Sequence, residues 1–552
     1  MKNDSSGKGK PRHTPVLIVG GGPIGLALAS DLGSRGVSAL LIERSENRVN
    51  PAVKIMDIGV RTMEFCRRLG VTDRIKHWGF PQDYPLDNAF ITSMTGVEIA
   101  RIKMPTPGEL GPSAFSPEWQ VHCPQTSFDP IMRDLALSFD GIEIEYQQEF
   151  LSLTQDADGV TANVLDRATG ETYQITADYL VGCDGFTSAV RSGLNIPFSG
   201  RGVVDHSLNH MFRSAEFNNL GVIDHAKRYV MVGEQGTWAT VMAVNGVDLW
   251  RLTFYGANDQ DVSDIDIEAA MRKIGGDFEY ELAPAERWVR RALVADRFQE
   301  GRVYLAGDAV HPVPPNGGFG MNTGFADSMN LAWKLAAAVQ GWAGPGVVES
   351  YESERRPIAL LVVEEALANY DRLTAATQVA HVTDLSPEGE AARKKLGRQL
   401  HDENMKAWKP VGIHLGYQYV GSPIIDYGTS TPAPFEAVDF VPEVRPGKRA
   451  PHGWLSDGRS ILDLFGTGYV ILRMGETAPD VSGFVSSATE RGLPIVEQTI
   501  REKELITLYG VPLVVVRPDG HVAWCGDELP VDSDALINML AGRSREFSQL
   551  SR

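Results

Sequence analysis

Val16-Leu17-Ile18-Val19 runs directly into Gly20-Gly21-Gly22-Pro23-Ile24-Gly25 and then into an Ala/Leu-rich stretch reaching about Gly33. A short β-branched run of this kind suits a buried parallel strand, and the glycines suit a turn from strand to helix. Ala39 to Ile42 reads as a second strand ending at Glu43, 18 residues beyond Gly25. Strand, glycine turn, helix and strand open a doubly wound nucleotide-binding fold. Gly20 permits the tight turn, Gly22 lets bare backbone approach a pyrophosphate, and Gly25 allows close packing of helix on strand. Glu43 is then placed to accept hydrogen bonds from ribose hydroxyls.

About 290 residues downstream of this turn stands a second, independent set of ligand-binding signals. Arg302 to Ala306 reads as a strand that delivers Asp308 at its carboxyl end, where ligands of α/β sheets collect and a carboxylate can bind polyol hydroxyls. Gly317-Gly318-Phe319-Gly320 follows, with glycines that admit a flat ring against backbone. Asn322 is read as the start of a long helix through Trp333 and Lys334, whose positive end would stabilise negative charge on such a ring. Between the two sets, Asp178 to Arg191 is a further strand, turn and helix start, with Asp184-Gly185 at the turn. Two cradles so far apart imply one long cofactor held at both ends, and FAD has the required shape.

The rest of the composition bounds the partners. A chain of 552 residues with 43% apolar content can bury two or three cores. Its 52 Lys and Arg against 71 Asp and Glu leave a net charge of −19, which disfavours nucleic acid and anionic membranes. Cys66, Cys123, Cys183 and Cys525 form no CxxC, so neither a disulfide framework nor a metal site is indicated, and a reducing cytoplasm fits. Residues 1–14 read as a polar, disordered tail without the apolar core of a signal peptide. No apolar run approaches the roughly 20 residues of a membrane-spanning helix.

Taken together, the Gly20 to Gly25 turn, Asp184-Gly185, and the Gly307-Asp308 block continuing through Trp333-Lys334 to Tyr351-Glu352-Ser353-Glu354-Arg355-Arg356-Pro357 resemble the class A FAD-dependent aromatic hydroxylases, the p-hydroxybenzoate and phenol hydroxylase type. The resemblance covers about residues 15 to 375. It implies a Rossmann-like α/β FAD-binding domain (15–195 and 296–375) with an inserted antiparallel β-sheet substrate domain (196–295). It implies that Asp184 serves both FAD and a transient NADH or NADPH, that Gln125 contacts the flavin side chain, and that the backbone of Gly320, Met321 and Asn322 touches the ring, with Pro315 bordering it. Lys54 stands where relatives often carry arginine, keeping the charge but not the bidentate fork. Asp57 lies one position from where relatives place a substrate-activating carboxylate. The reaction implied is dioxygen addition at the flavin C4a carbon, with the hydroperoxide transferring oxygen to a small aromatic substrate, phenolic or polyketide-type.

Within the substrate region, Met211, Arg213, Trp238 and Tyr255 are the lining residues selected, because pockets are mostly apolar with a few polar anchors. His206, His210 and His225 lack metal-ligand spacing. A helical, proline-rich connector (376–445) precedes a domain at 446–546 resembling the thioredoxin-like α/β domain of phenol and polyketide hydroxylases, which is expected to stabilise the fold or a homo-oligomer. A same-fold tailoring or resistance oxygenase, inactivating an antibiotic or performing Baeyer-Villiger insertion, stays open, as does a non-catalytic flavin-binding scaffold. A halogenase is disfavoured by the lack of a Trp-x-Trp-x-Ile-Pro motif.

Overall fold

Strands Val303–Leu305, Thr172–Gly182, Arg12–Val19, Ala39–Glu43 and Ile142–Tyr146 lie side by side in that order, all parallel. Helices cover them, so their apolar side chains are buried on both faces, as in Val16, Leu17, Ile18, Leu40 and Leu41. The hairpin Gln148–Gln155 and Val160–Asp166 extends the sheet antiparallel to Thr172–Gly182. The computed structural model describes residues 12–47, 57–256, 259–374, 379–408 and 411–543. Lys54 and most of the amino-terminal tail lie outside the described residues.

The second sheet runs Glu281–Leu282, Phe198–Arg213, Leu249–Gly256, Gly236–Ala243, Arg228–Gly233, Asn88–Ile91, Glu98–Ile102, with Glu286–Ala295 also on Phe198–Arg213. Its last two strands come from well before residue 196, so the sheet is more than a single insertion at 196–295. The reason is pairing: Asn88–Ile91 closes the edge of Arg228–Gly233 in a parallel register that a hairpin pattern does not reveal. One face of this sheet packs Phe212, Tyr229, Trp250 and Phe254 under helix Ile267–Gly275. The opposite face turns toward the first domain.

Helix Phe319–Val339 packs on Pro23–Ser34, and Pro345–Thr374 packs on it in turn. The charged helix Pro387–Trp408 then lays Leu396 and Leu400 against Phe90, Val230 and Val232. Last comes a sheet in the order Ile495–Ile500, Tyr469–Met474, Leu513–Val516, Val522–Gly526, its first pair parallel and the rest antiparallel. That is thioredoxin-like order. The Pro518-Asp519-Gly520 turn joins its last hairpin, with Gly520 at φ +81°.

This last domain is joined to the first by buried charge. Arg517 donates to both oxygens of Glu354 at 2.6 and 2.9 Å and to Asp519 at 2.5 Å, and Lys334 donates to Glu354 at 2.7 Å. Arg61 donates to the Asp519 carbonyl at 2.7 Å. Arg449 donates to both oxygens of Glu64, and Ser116 donates to one of the same two. Each ion has an opposite charge in contact, the condition under which buried charges are tolerated, although Arg61 Nε and Arg449 Nη1 are buried without a hydrogen-bond partner.

Candidate active site

The carboxyl ends of four adjacent parallel strands converge on one edge of the first sheet, and each carries a residue singled out from the sequence. Gly20 follows Arg12–Val19, Glu43 ends Ala39–Glu43, Asp184 follows Thr172–Gly182, and Asp308 follows Val303–Leu305. Four strand ends side by side make a trough, the usual place for a ligand in such a sheet.

At the near end, Gly20 adopts φ +113°, and a Cβ there would stand 2.4 Å from the Cys183 carbonyl oxygen. A Cβ on Gly25 would come within 2.0 Å of the Gly20 carbonyl oxygen, whereas one on Gly22 meets nothing within 4 Å. Helix Pro23–Ser34 has no side-chain cap at Gly22, so its first N–H groups point into that open space. Glu43 accepts from the Gly21 N–H at 2.7 Å and from the Ser45 N–H at 2.9 Å, which fixes its carboxylate at the rim. In the middle, Asp184 uses one oxygen for the Ala189 and Val190 N–H groups at 2.7 and 3.2 Å, while the other is buried without a hydrogen-bond partner. Burial raises its pKa. Open space at a helix start and an orphaned acceptor along the trough are what a dinucleotide would fill. Gln125 opens helix Gln125–Leu137 and donates to Asp129 at 2.9 Å.

At the far end, the Gly307-Asp308 turn is held from behind by a cluster absent from the sequence reading. Asp327 accepts from the Gly307 N–H at 3.1 Å, from His311 at 2.5 Å and from Arg355 at 2.7 Å, all fully buried. Asp308 itself is exposed. Pro315 is also exposed and accepts from the Gly318 N–H at 3.0 Å.

The long helix begins at Phe319, not at Asn322. Gly317 and Gly318 take φ +107° and +71°, and Gly318 serves as the cap, so Gly320 and Met321 occupy the first turn with their N–H groups outward. Asn322 instead acts through its side chain. Its Oδ1 accepts from the Gly59 N–H and the Thr62 hydroxyl, each at 2.7 Å, and its Nδ2 donates to the Asp57 carbonyl at 3.2 Å. Asn322 thereby ties the ring end of the trough to Asp57.

Asp57 is where the two sheets meet. Its carboxylate pairs with Lys227 at 2.5 Å and lies 3.7 Å from His122, and although burial opposes ionisation, these partners hold its pKa far below the usual range. Such a carboxylate is a weak proton acceptor, so its fitting role is to accept a hydrogen bond and to impose a field. Across from it stands the inner face of the second sheet. Register places Met211 opposite Arg251, Arg251 opposite Met242 and Met242 opposite Arg228, so all four share that face. Asp57 is near enough to act electrostatically on both arginines. Tyr255 is there too, its hydroxyl 3.0 Å from that of Thr240 and its ring beneath the Arg290 guanidinium at 4.6 Å.

Two lining residues expected from the sequence are elsewhere. Trp238 stacks on Phe254 beneath Lys273, on the opposite face. A bulge between Met231 and Val232 leaves Trp238 as the extra residue, which puts it on the side opposite to the one plain alternation with Thr240 and Met242 would give. Arg213 has inner-face parity but lies at the exposed sheet end, paired with Asp248 at 2.8 Å. Lys227, Arg228, Arg251 and His122 were missed. The available signal was a basic residue inside an apolar strand, as in Leu249-Trp250-Arg251-Leu252. His210 bonds the Ala283 carbonyl and His225 stacks on Tyr84. Among the described residues no group of three or more His, Cys, Asp or Glu is placed to hold a metal ion, and no helix is long and apolar enough to cross a membrane.

Residues 13–366 match the FAD binding domain family, and residues 443–542 match the aromatic-ring hydroxylase C-terminal family. The chain is 31% identical to phenol 2-monooxygenase of Pseudomonas sp. over 96% of its length and 93% of that protein's. It is 30% identical to tetracenomycin B2 monooxygenase-dioxygenase of Streptomyces olivaceus over 96% and 98%. Among solved structures, RebC with bound 7-carboxy-K252c superposes with a TM-score of 0.90 at 36% identity, covering 97% of this chain and 100% of the other. Strand-end trough, inner-face sheet and sewn-in terminal domain thus have their counterpart in known flavoenzymes, and the chain belongs to the FAD-dependent aromatic-ring hydroxylases, an oxidoreductase family of monooxygenases.

Proposed function

We propose that this enzyme uses NADH or NADPH and dioxygen to hydroxylate a phenolic or polyketide-type aromatic ring. The observation that carries the reading is Asn322, which binds the helix at the ring end of the trough to Asp57, and Asp57 faces the inner sheet. FAD would lie along the four strand ends. Its pyrophosphate would meet the N-terminus of Pro23–Ser34, its adenosine ribose Glu43, its polyol chain Asp184, Gln125 and Asp308, and its ring Gly320, Met321 and the Pro315 loop. Bound there, FAD would supply the redox and oxygen-transferring chemistry, and Asp184 would also serve the transient nicotinamide donor.

The chain's own residues do the remaining work. The first-turn N–H groups of Phe319–Val339 stabilise negative charge at the ring. Asp57, kept ionised by Lys227, accepts the substrate hydroxyl's hydrogen bond and so enriches the aromatic ring in electron density. The inner sheet face and helix Pro387–Trp408 keep water from the chamber. The names of the relatives, which include a phenol and a tetracenomycin oxygenase, support an aromatic substrate. Four free cysteines support the reducing cytoplasm as the compartment. A panel of phenols and fused-ring phenols given to the yellow protein tests the reading. Stimulated NAD(P)H and dioxygen consumption, with a product heavier by one oxygen, is expected. No stimulation by any member would refute it and favour a flavin-binding scaffold.

A further inference from the structure

Helix Val60–Arg68 begins just after Asp57, and its first turn is held by Asn322 through the Gly59 N–H and the Thr62 hydroxyl. Charged side chains recur along it at every third position, as Arg61, Glu64 and Arg67, so they form one stripe. All three meet the terminal domain. Arg61 donates to the Asp519 carbonyl at 2.7 Å, Glu64 takes Arg449 through both oxygens, and Arg67 meets both oxygens of Asp463 at 2.8 and 2.9 Å.

Two of these contacts reach further. Arg449 also donates to the Phe115 carbonyl at 3.1 Å, and Arg67 donates to Glu118 at the same distance. Phe115 and Glu118 lie on the segment that runs into Val121–His122, the strand paired with Asp57–Ile58, with Asp57 opposite His122. Arg449 and Arg67 therefore tie the chain leaving Asp57 to the chain arriving at His122. The strand pair between them has only two residues on each side, so its own ladder fixes Asp57 weakly. Adhesion of the terminal domain would not need these contacts, because Arg517, Glu354 and Lys334 already bind it to helices Phe319–Val339 and Pro345–Thr374.

We propose that the terminal domain serves the reaction by holding helix Val60–Arg68, and through it Asp57, at a set position against Asn322. Arg449, Arg67 and Asp463 are then remote positioning residues. This rests on the reading given under Proposed function, in which Asp57 engages the substrate hydroxyl, and it gives the terminal domain a part in that reading. A displacement of about 1 Å passed along the helix would cost oxygen transfer up to about a hundredfold.

Arg449→Met and Arg67→Gln, each as full-length holoenzyme in saturating FAD, test it by two measurements. Hydrogen exchange of peptides covering residues 57–68 should quicken at least about threefold in both. With a phenol that stimulates the parent, the share of NAD(P)H consumption that ends as hydrogen peroxide should rise at least about twofold. Arg449→Lys and Arg67→Lys should recover part of each change. Arg473→Met breaks contacts with Glu497 and with the Ala478 and Pro479 carbonyls inside the terminal domain, away from the stripe, and should leave both readouts as in the parent. Arg67 is partly exposed, so Arg67→Gln keeps the test open if Arg449→Met does not fold. Unchanged exchange at 57–68, an unchanged peroxide share, or an equal effect of Arg473→Met overturns the assignment. If a phenol stimulates the parent and the variants keep its peroxide share, only this inference fails. If no phenol stimulates the parent, the reading under Proposed function fails and takes this one with it.

Discussion

Gly22→Ala and Gly25→Ala separate a ligand-contacting glycine from a structural one. Gly22 has φ −76° and ψ −179°, extended backbone that alanine adopts without strain, and its added methyl would meet nothing within 4 Å. Alanine restricts the unfolded chain, stabilising by about 0.4–1 kcal/mol. It is also a poorer helix cap than glycine by a similar amount. These effects offset, so the apoprotein should stay within about 1 kcal/mol of the parent. The same methyl would intrude into the space assigned to the pyrophosphate, where overpacking of about 1–3 kcal/mol means roughly fivefold to 150-fold weaker FAD. Gly25 is the converse. Its Cβ would lie 2.0 Å from a backbone oxygen that cannot swing aside, so Gly25→Ala should destabilise by about 1–3 kcal/mol or more before any cofactor is added. Urea unfolding of the apoproteins and FAD titration by flavin-fluorescence quenching measure the two quantities. A Gly22→Ala protein that folds normally and binds FAD with unchanged affinity would place the phosphates elsewhere and refute the trough assignment.

Asp308→Ala should fold as the parent does but lose much of its flavin on gel filtration, read as the ratio of flavin to protein absorbance. Asp57→Asn should retain flavin while losing substrate-stimulated NAD(P)H oxidation, because the neutral amide lacks the field that enriches the substrate ring; equal stimulation would remove Asp57 from the reaction. Arg517→Met should cost about 3–5 kcal/mol in urea unfolding, since it leaves Glu354 and Asp519 buried with a partner missing. Glu354 is stabilised in its charged form by Arg517 and Lys334, which outweigh burial and bring its pKa from 4.5 to about 2. A depressed folded-state pKa favours the native protein above the unfolded value, so this contribution is complete above about pH 4.5 and lost as pH falls through about 2. Glu354→Gln should therefore flatten the loss of stability between pH 5 and 3 as well as lower stability at pH 7.

The first domain was legible because its signals are local. A β-branched run, a glycine turn and an acidic strand end each report on their own few residues, and the parallel sheet brings Gly20, Glu43, Asp184 and Asp308 to one edge by topology alone. Which face of the second sheet a side chain takes can be read from the sequence only as far as strand alternation holds. Met211 and Tyr255 obey it, whereas the bulge at Trp238 reverses it, and no local pattern announces a bulge whose cause is pairing with Arg228–Gly233. The helix start moved to Phe319 for a similar reason, since which of several glycines takes the cap depends on the turn before it.

What the sequence concealed entirely was pairing across long separations. Asp327 with His311 and Arg355, Asp57 with Lys227, and Glu354 with Arg517 join residues 16 to 170 positions apart. The first two stand behind a residue of the candidate site, and the third holds the middle of the helix that runs from it. Asp327 holds the Gly307-Asp308 turn, Lys227 keeps Asp57 ionised, and Glu354 reaches Lys334 and Asn330 on the helix whose first turn faces the ring end. A flavin and an aromatic ring must be aligned closely for oxygen transfer. Buried charge pairs contribute little net stability, but they accept only a narrow range of geometries. Fixing the strand ends, the chamber and the terminal domain with them trades stability for alignment at the place where alignment sets the rate.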